Sequence, residues 1–334
     1  MIKVLINCPS DFNLSSQSLK KIGGIETLNV NLAKILSKKK INVTLSSYCK
    51  KSIKKNNVLN LPVDVIKKHP NKYVFDSIIS SNDSSIFNYF PNSKKILWLH
   101  NPLQIEKSLR KKQFFHIIRN KPTVVFVSNY LKSITSRIYP FKKRVVIKNF
   151  LSSAFTTKLK SIRRKPIFVW SVQRDKGLSN TIDMWINKIY PISKNAEFYI
   201  LGINKLPSKY KLELLKSKNI IFLGRVSKKK LKEIYTKSTA MICLGYDETF
   251  CLNALEANSC GLPVLTFGKT ALSELIKNNF NGYVVNNFNQ LSTKILFLLK
   301  LNLFKRKILT NNSILNSKKY NPKIIAYSWL KLLK

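Results

Sequence analysis

Acidic residues are scarce in this chain: 15 Asp and Glu stand against 60 Lys and Arg among 334 residues, a net charge of +45. Glycine is depleted as well, with nine residues where ordinary usage would supply about 23. Neither shortage implies disorder, because 44 % hydrophobic and 11 % aromatic residues are enough to build packed cores. The length suits two domains of ordinary size rather than one small core. No apolar run reaches the roughly eighteen residues of a membrane-spanning helix. The opening MIKVLINCPS reads as a short strand and not as a signal peptide. The five cysteines show neither CxxC nor Cys/His metal spacing, and their odd number suits free thiols in a reducing cytosol. A DxD pair, the usual carboxylate couple for a divalent cation, is missing, so no metal ligands are assigned.

Against this background, three of the 15 acids fall within one short stretch, GYDETFCLNALEANSCGLPVLTFG, as Asp247, Glu248 and Glu256. The stretch reads as a loop, then a helix with an apolar stripe at Cys251, Leu252 and Leu255, then the strand PVLTF. Gly261 and Pro263 stop the helix. With Glu248 at the helix mouth, the two glutamates lie up to about 12 Å apart along the axis. Between them are the first-turn amides, which suit a phosphate. Carboxylates accept hydrogen bonds from sugar hydroxyls and amides hold phosphates. The combination therefore suits a diphosphate with hydroxyl-rich rings at both ends, a nucleotide sugar.

The basic residues carry less information. Runs such as Lys38–Lys40, Arg110–Lys112, Lys142–Arg144 and Lys228–Lys230 are scattered along the chain, mostly at helix ends. They read as solvated surface, with attraction to an anionic membrane or a phosphorylated acceptor as the functional alternative. No module of interleaved basic and aromatic residues points to nucleic acid. The few glycines, by contrast, fall where strands and helices meet loops, which predicts positive φ or close backbone approach there.

Strand-like and helix-like segments alternate twice. IKVLIN, GGIETLNVNLAKILSKKK, INVTLSS, KKILWLH, TVVFVSN and RVVIKNF make up the first half, with residues 50–75 irregular. After a polar, basic linker at 152–165 the pattern restarts with PIFVWSV, EFYILG, NIIFLGRV, TAMICLGY, PVLTF and NGYVV. Apolar strands separated by helix-length segments predict an α/β chain of two Rossmann-like, doubly wound parallel-sheet domains. Two such domains facing a cleft would bind ligands at the carboxyl ends of their strands. The boundaries are 1–155, 156–315 and 316–334, the last being a Pro-started amphipathic helix, NPKIIAYSWLKLLK.

GGIETLNVNLAKIL, FVSNYLKSI with VVIKNF, RDKGL, FYILG and DETFCLNALEANSCGLPVLTFGKTALSELI together resemble retaining glycosyltransferases of the GT-B fold, family 4 type, from about residue 2 to 290. The resemblance implies that the tail helix packs back on the N-terminal domain. It implies that Glu256 holds the donor's ribose and Glu248 its sugar, while amides at Phe250, Cys251 and Leu252 meet the diphosphate. Lys176 would neutralise the leaving group. Where many members carry an Arg, this chain has Ser171, and Arg174 is the candidate replacement. Gly23 and Gly24 would admit the diphosphate from the N-terminal side, and His100 stands where the family often has a polar residue near the reacting carbon. Glu26 reads as a helix-start acid. The expected activity is retaining, metal-independent transfer from a nucleoside-diphosphate sugar to a glycan, lipid-linked or protein acceptor. No cofactor is expected, and the expected location is cytoplasmic, with peripheral contact at a membrane surface. Alternatives are a sugar-nucleotide epimerase on the same fold and a non-catalytic basic protein that binds lipid or nucleic acid.

Overall fold

A computed structural model describes residues 1–19, 22–156, 164–172 and 175–334. Arg174 and most of the expected linker (157–163) lie outside the described residues. The chain divides into two compact units, residues 1–152 with 320–334, and residues 153–319.

The first unit is built on β1 (Lys3–Asn7), β2 (Asn42–Ser47), β3 (Ile53–Lys55), β4 (Val58–Pro62), β5 (Ser77–Ser81), β6 (Lys94–Leu99), β7 (Thr123–Phe126) and β8 (Lys143–Val146). They form one sheet in the order β3-β4-β2-β1-β5-β6-β7-β8. All pairings are parallel except β3 with β4. Those two occupy part of the segment expected to be irregular. Asn56 and Asn57, with φ of 51° and 59°, turn the chain between them, the double positive φ of a tight hairpin. Both strands are short, and two of the three residues of β3 are lysines, so alternation alone did not reveal them.

Leu97, Trp98 and Leu99 on β6 and Val124 to Phe126 on β7 are buried, as expected of strands covered on both faces. The C-terminal helix, Pro322–Leu333, is capped by Asn321, whose side chain accepts from the Lys323 amide. It belongs to this unit, where Trp329 meets Trp98 edge-on with ring centroids 4.8 Å apart.

The second unit carries β9 (Ile167–Trp170), β10 (Glu197–Leu201), β11 (Ile220–Gly224), β12 (Ala240–Ile242), β13 (Val264–Thr266) and β14 (Gly282–Val284). Its sheet is parallel throughout, in the order β11-β10-β9-β12-β13-β14. This is the order 3-2-1-4-5-6 of a Rossmann sheet, whose switch point lies between the first and fourth strands. Here those strands are β9 and β12, so the loops leaving them emerge side by side. Six of the nine glycines have positive φ; Gly23, which precedes the helix Gly24–Ser37, does not, at −79°.

Candidate active site

The loop after β9 contains Lys176 and Gly177, and the loop after β12 contains Glu248. The switch point brings them together: Lys176 Nζ donates to Glu248 Oε1 at 2.6 Å and lies 3.4 Å from the Asp247 carbonyl oxygen. Both side chains are largely shielded, 20 % and 15 % exposed, so the pair is partly desolvated and is held more firmly than a surface ion pair.

Gly177 has φ of 93°, and a Cβ there would sit 2.7 Å from Leu244 Cδ1 and 2.8 Å from Tyr246 Cε2. Only glycine turns the chain so close to the second loop. That second loop is tied down on its other side, where Thr270 Oγ1 donates to the Gly245 carbonyl at 2.8 Å and the Ala271 amide to the Glu248 carbonyl at 3.1 Å.

The loop enters the helix Leu252–Ser259 through Cys251, whose φ is 66° and whose side chain supplies no cap. First-turn amides without a side-chain acceptor keep their affinity for an anion. Asp247 is also left-handed, at 54°. Cys251 Sγ lies 3.5 Å from Cys243 Sγ. That hydrogen bond and burial push the Cys251 thiol well up, so it is a protonated packing group and no nucleophile. All five cysteines are free and buried.

Glu256 lies mid-helix and is 3 % exposed. Burial raises its carboxyl pKa, and Lys228 opposes that rise. Lys228 Nζ meets both carboxylate oxygens, at 2.7 and 2.8 Å, and lies 5.5 Å from the centre of the Phe155 ring. Each glutamate of the pair therefore has its own lysine. Lys228 escaped sequence reasoning because it is one of 60 cations. The available signal was its place as the first residue of the helix Lys228–Lys237, where the helix dipole disfavours a cation.

Ser171 is buried, and its hydroxyl pairs with that of Tyr235. Asn253, in the first turn of the Glu256 helix, donates to the Ser171 carbonyl. Ser171 thus joins the end of β9 to both helices.

The other expected site residues lie in the first unit. His100 follows β6, 4 % exposed, with its ring 4.4 Å from that of Trp98 and its amide donating to Asn82 Oδ1 at 2.8 Å. Burial lowers its pKa to about 3, so the imidazole is neutral near pH 7. Gly23 and Gly24 start the helix Gly24–Ser37. A Cβ on Gly23 would lie 2.7 Å from Glu26 Oε2, so the first-turn acid folds back over the helix start. Among the described residues no group of three or more His, Cys, Asp or Glu is arranged to hold a metal ion.

Residues 154–315, just under half of the chain, match the family described as glycosyl transferases group 1. The match covers nearly all of the second unit. An uncharacterised glycosyltransferase of Methanocaldococcus jannaschii is 28 % identical over 233 residues, 68 % of this chain and 64 % of the relative. The chain thus spans somewhat less than two thirds of that relative. A solved glycosyltransferase of Rickettsia africae is similar over 100 % of this chain and 98 % of its own, with a TM-score of 0.77 and 17 % identity. HepE of Anabaena, solved with UDP and glucose, covers 100 % and 99 % with a TM-score of 0.73 and 14 % identity. At these identities the structural likeness speaks to fold alone: two Rossmann-like α/β domains of the GT-B class. Together the matches support a glycosyltransferase and favour neither the epimerase nor the non-catalytic reading.

Proposed function

We propose that the chain is a retaining glycosyltransferase that moves a sugar from a nucleoside-diphosphate donor to a glycan, lipid-linked or protein acceptor without a metal ion. The observation that carries this reading is the pairing of both glutamates with lysines around a helix mouth at the Rossmann switch point. Glu256 would accept from the ribose hydroxyls and Glu248 from the hydroxyls of the transferred sugar. The Cys251 and Leu252 amides, with that of Phe250, would hold the diphosphate. Lys176 has three N–H donors, so it can keep Glu248 in place while taking a phosphate oxygen. As the glycosidic bond breaks, negative charge grows on the leaving diphosphate, where a fixed cation and fixed amides stabilise it most. Arg174 is a second candidate cation. Departure of the nucleoside diphosphate, with attack on the same face, preserves the anomeric configuration and needs no enzymic nucleophile. His100, neutral, is a polar side chain of the first unit able to accept or donate a single hydrogen bond.

The test has two stages. Calorimetry with UDP, GDP, ADP and CDP sugars should find one donor that also raises the melting temperature, as a ligand specific to the folded state must. NMR of the product should then show the donor's anomeric configuration. Inversion would remove the retaining mechanism, and absence of binding by every donor would remove the enzyme assignment.

A further inference from the structure

The helices Ile105–Arg110 and Gln113–Asn120 carry one more apolar row than their packing uses. Their inner side is accounted for. Ser108 Oγ meets Tyr139 OH at 2.9 Å, Phe114 packs edge-on against Tyr139 at 5.6 Å, and Ile117 is fully buried. The outer side holds Ile105 and Leu109, four apart, and Phe115 and Ile118, three apart, so each pair shares a helix face. These four are 42, 41, 58 and 42 % exposed. Around them stand Lys107, Arg110, Lys111, Lys112, Arg119 and Lys121, all exposed. Residues 105–121 hold one acid, Glu106, and no ion pair among the described residues engages any of the six cations.

We propose that residues 105–121 are a docking face for an anionic lipid bilayer, with Ile105, Leu109, Phe115 and Ile118 entering the acyl boundary and the surrounding cations meeting lipid phosphates. Charge complementarity selects this occupant. A second copy would set six cations against six. A nucleic acid would use the charge but find one ring, Phe115, to stack on, and would leave three aliphatic side chains in water. A bilayer uses both, burying the apolar side chains while the long basic ones reach to the headgroups. The assignment stands apart from the donor site, so either can fail alone.

The test uses the whole protein with extruded vesicles of phosphatidylcholine, with and without a minority of phosphatidylglycerol. Sedimentation should show binding to the anionic vesicles alone, weakening with salt. Because all four tryptophans are at most 1 % exposed, Phe115→Trp adds a solvent-facing reporter whose emission should shift to the blue on binding. Phe115→Ser with Ile118→Ser should weaken binding about tenfold or more, whereas Lys38→Glu with Lys39→Glu, a charge change elsewhere on the same unit, should leave most of it. Circular dichroism and a melting curve check that each variant is folded. No preference for anionic vesicles, equal weakening by the two double variants, or a shift at Phe304→Trp, an exposed position of the second unit, without one at Phe115→Trp would overturn the assignment. Concentration-dependent dimerisation lost on Phe115→Ser, without vesicle binding, would overturn it in favour of a second copy.

Discussion

The two ends of the Glu256 helix differ in what meets them. At the C-terminal end the guanidinium of Arg164 spans the carbonyls of Cys260 and Gly261, at 3.0 and 2.7 Å, and those of Tyr235 and Ser238, at 3.2 and 2.7 Å. One cation thus closes two neighbouring helix ends, where the dipole favours positive charge. Burial lowers the Arg164 pKa to about 10, which leaves it charged at neutral pH. A second anchor is built from buried amides. Asn258 Nδ2 donates to the Leu262 carbonyl at 3.0 Å, and Asn281 and Asn316 both donate to Asn258 Oδ1 and the Leu275 carbonyl. At the N-terminal end the cap is a left-handed cysteine with no side-chain acceptor, flanked by the Lys176–Glu248 pair. The neighbouring helix Lys228–Lys237 shows what an ordinary start looks like, with Ser227 accepting from the Lys230 amide. One end is closed by the fold, and the other is left without a side-chain cap.

Three substitutions bear on this contrast. The largest effect belongs to the closed end: Arg164→Met should cost about 3–5 kcal/mol of stability by stranding carbonyls at two helix ends. Urea unfolding measures it. A loss below about 1 kcal/mol would show that water replaces the clamp. At the open end, Lys176→Met should lower kcat about 10²–10³-fold with little change in melting temperature, because the protein keeps its clamp. A variant that loses stability but retains turnover would reverse the roles of the two ends.

The smallest effect lies in the middle of the helix. Glu256→Gln should weaken nucleotide binding about tenfold without destabilising the fold. The pH dependence separates the two properties. In the folded protein the Glu256 carboxyl titrates above its ordinary value of 4.5, so the unfolded chain gives up its proton first. Stability contributed by this group is therefore present below pH 4.5 and is lost as pH rises from 4.5 through the raised value. The Gln variant should show a flatter melting-temperature profile over that window. An unchanged slope would mean that Lys228 cancels the effect of burial.

Much of the architecture was legible in the chain. Runs such as VLI, ILWL and IFVW are apolar throughout, the mark of strands buried on both faces, and the segments between them have helical spacing. The β3–β4 hairpin was not legible, because three residues of strand with two lysines carry too little pattern. Arg164 falls in the stretch expected to be a polar, basic linker, since nothing local distinguishes a lysine or arginine that will bridge two helix ends from one that will face water. Lys228 was hidden in the same way among its neighbours.

The sequence by itself determined the strand and helix types, the doubly wound class and the set of residues from which a donor site can be made, because side-chain periodicity and the positions of a few glycines and acids are local properties. The tertiary structure alone decided the pairings. Lys176 reaches Glu248 because the order of the sheet sets the loop after β9 beside the loop after β12, 72 residues apart in the chain. Lys228 reaches Glu256 because two helices pack side by side. Such distances depend on how the chain crosses over itself, and no residue records that alone.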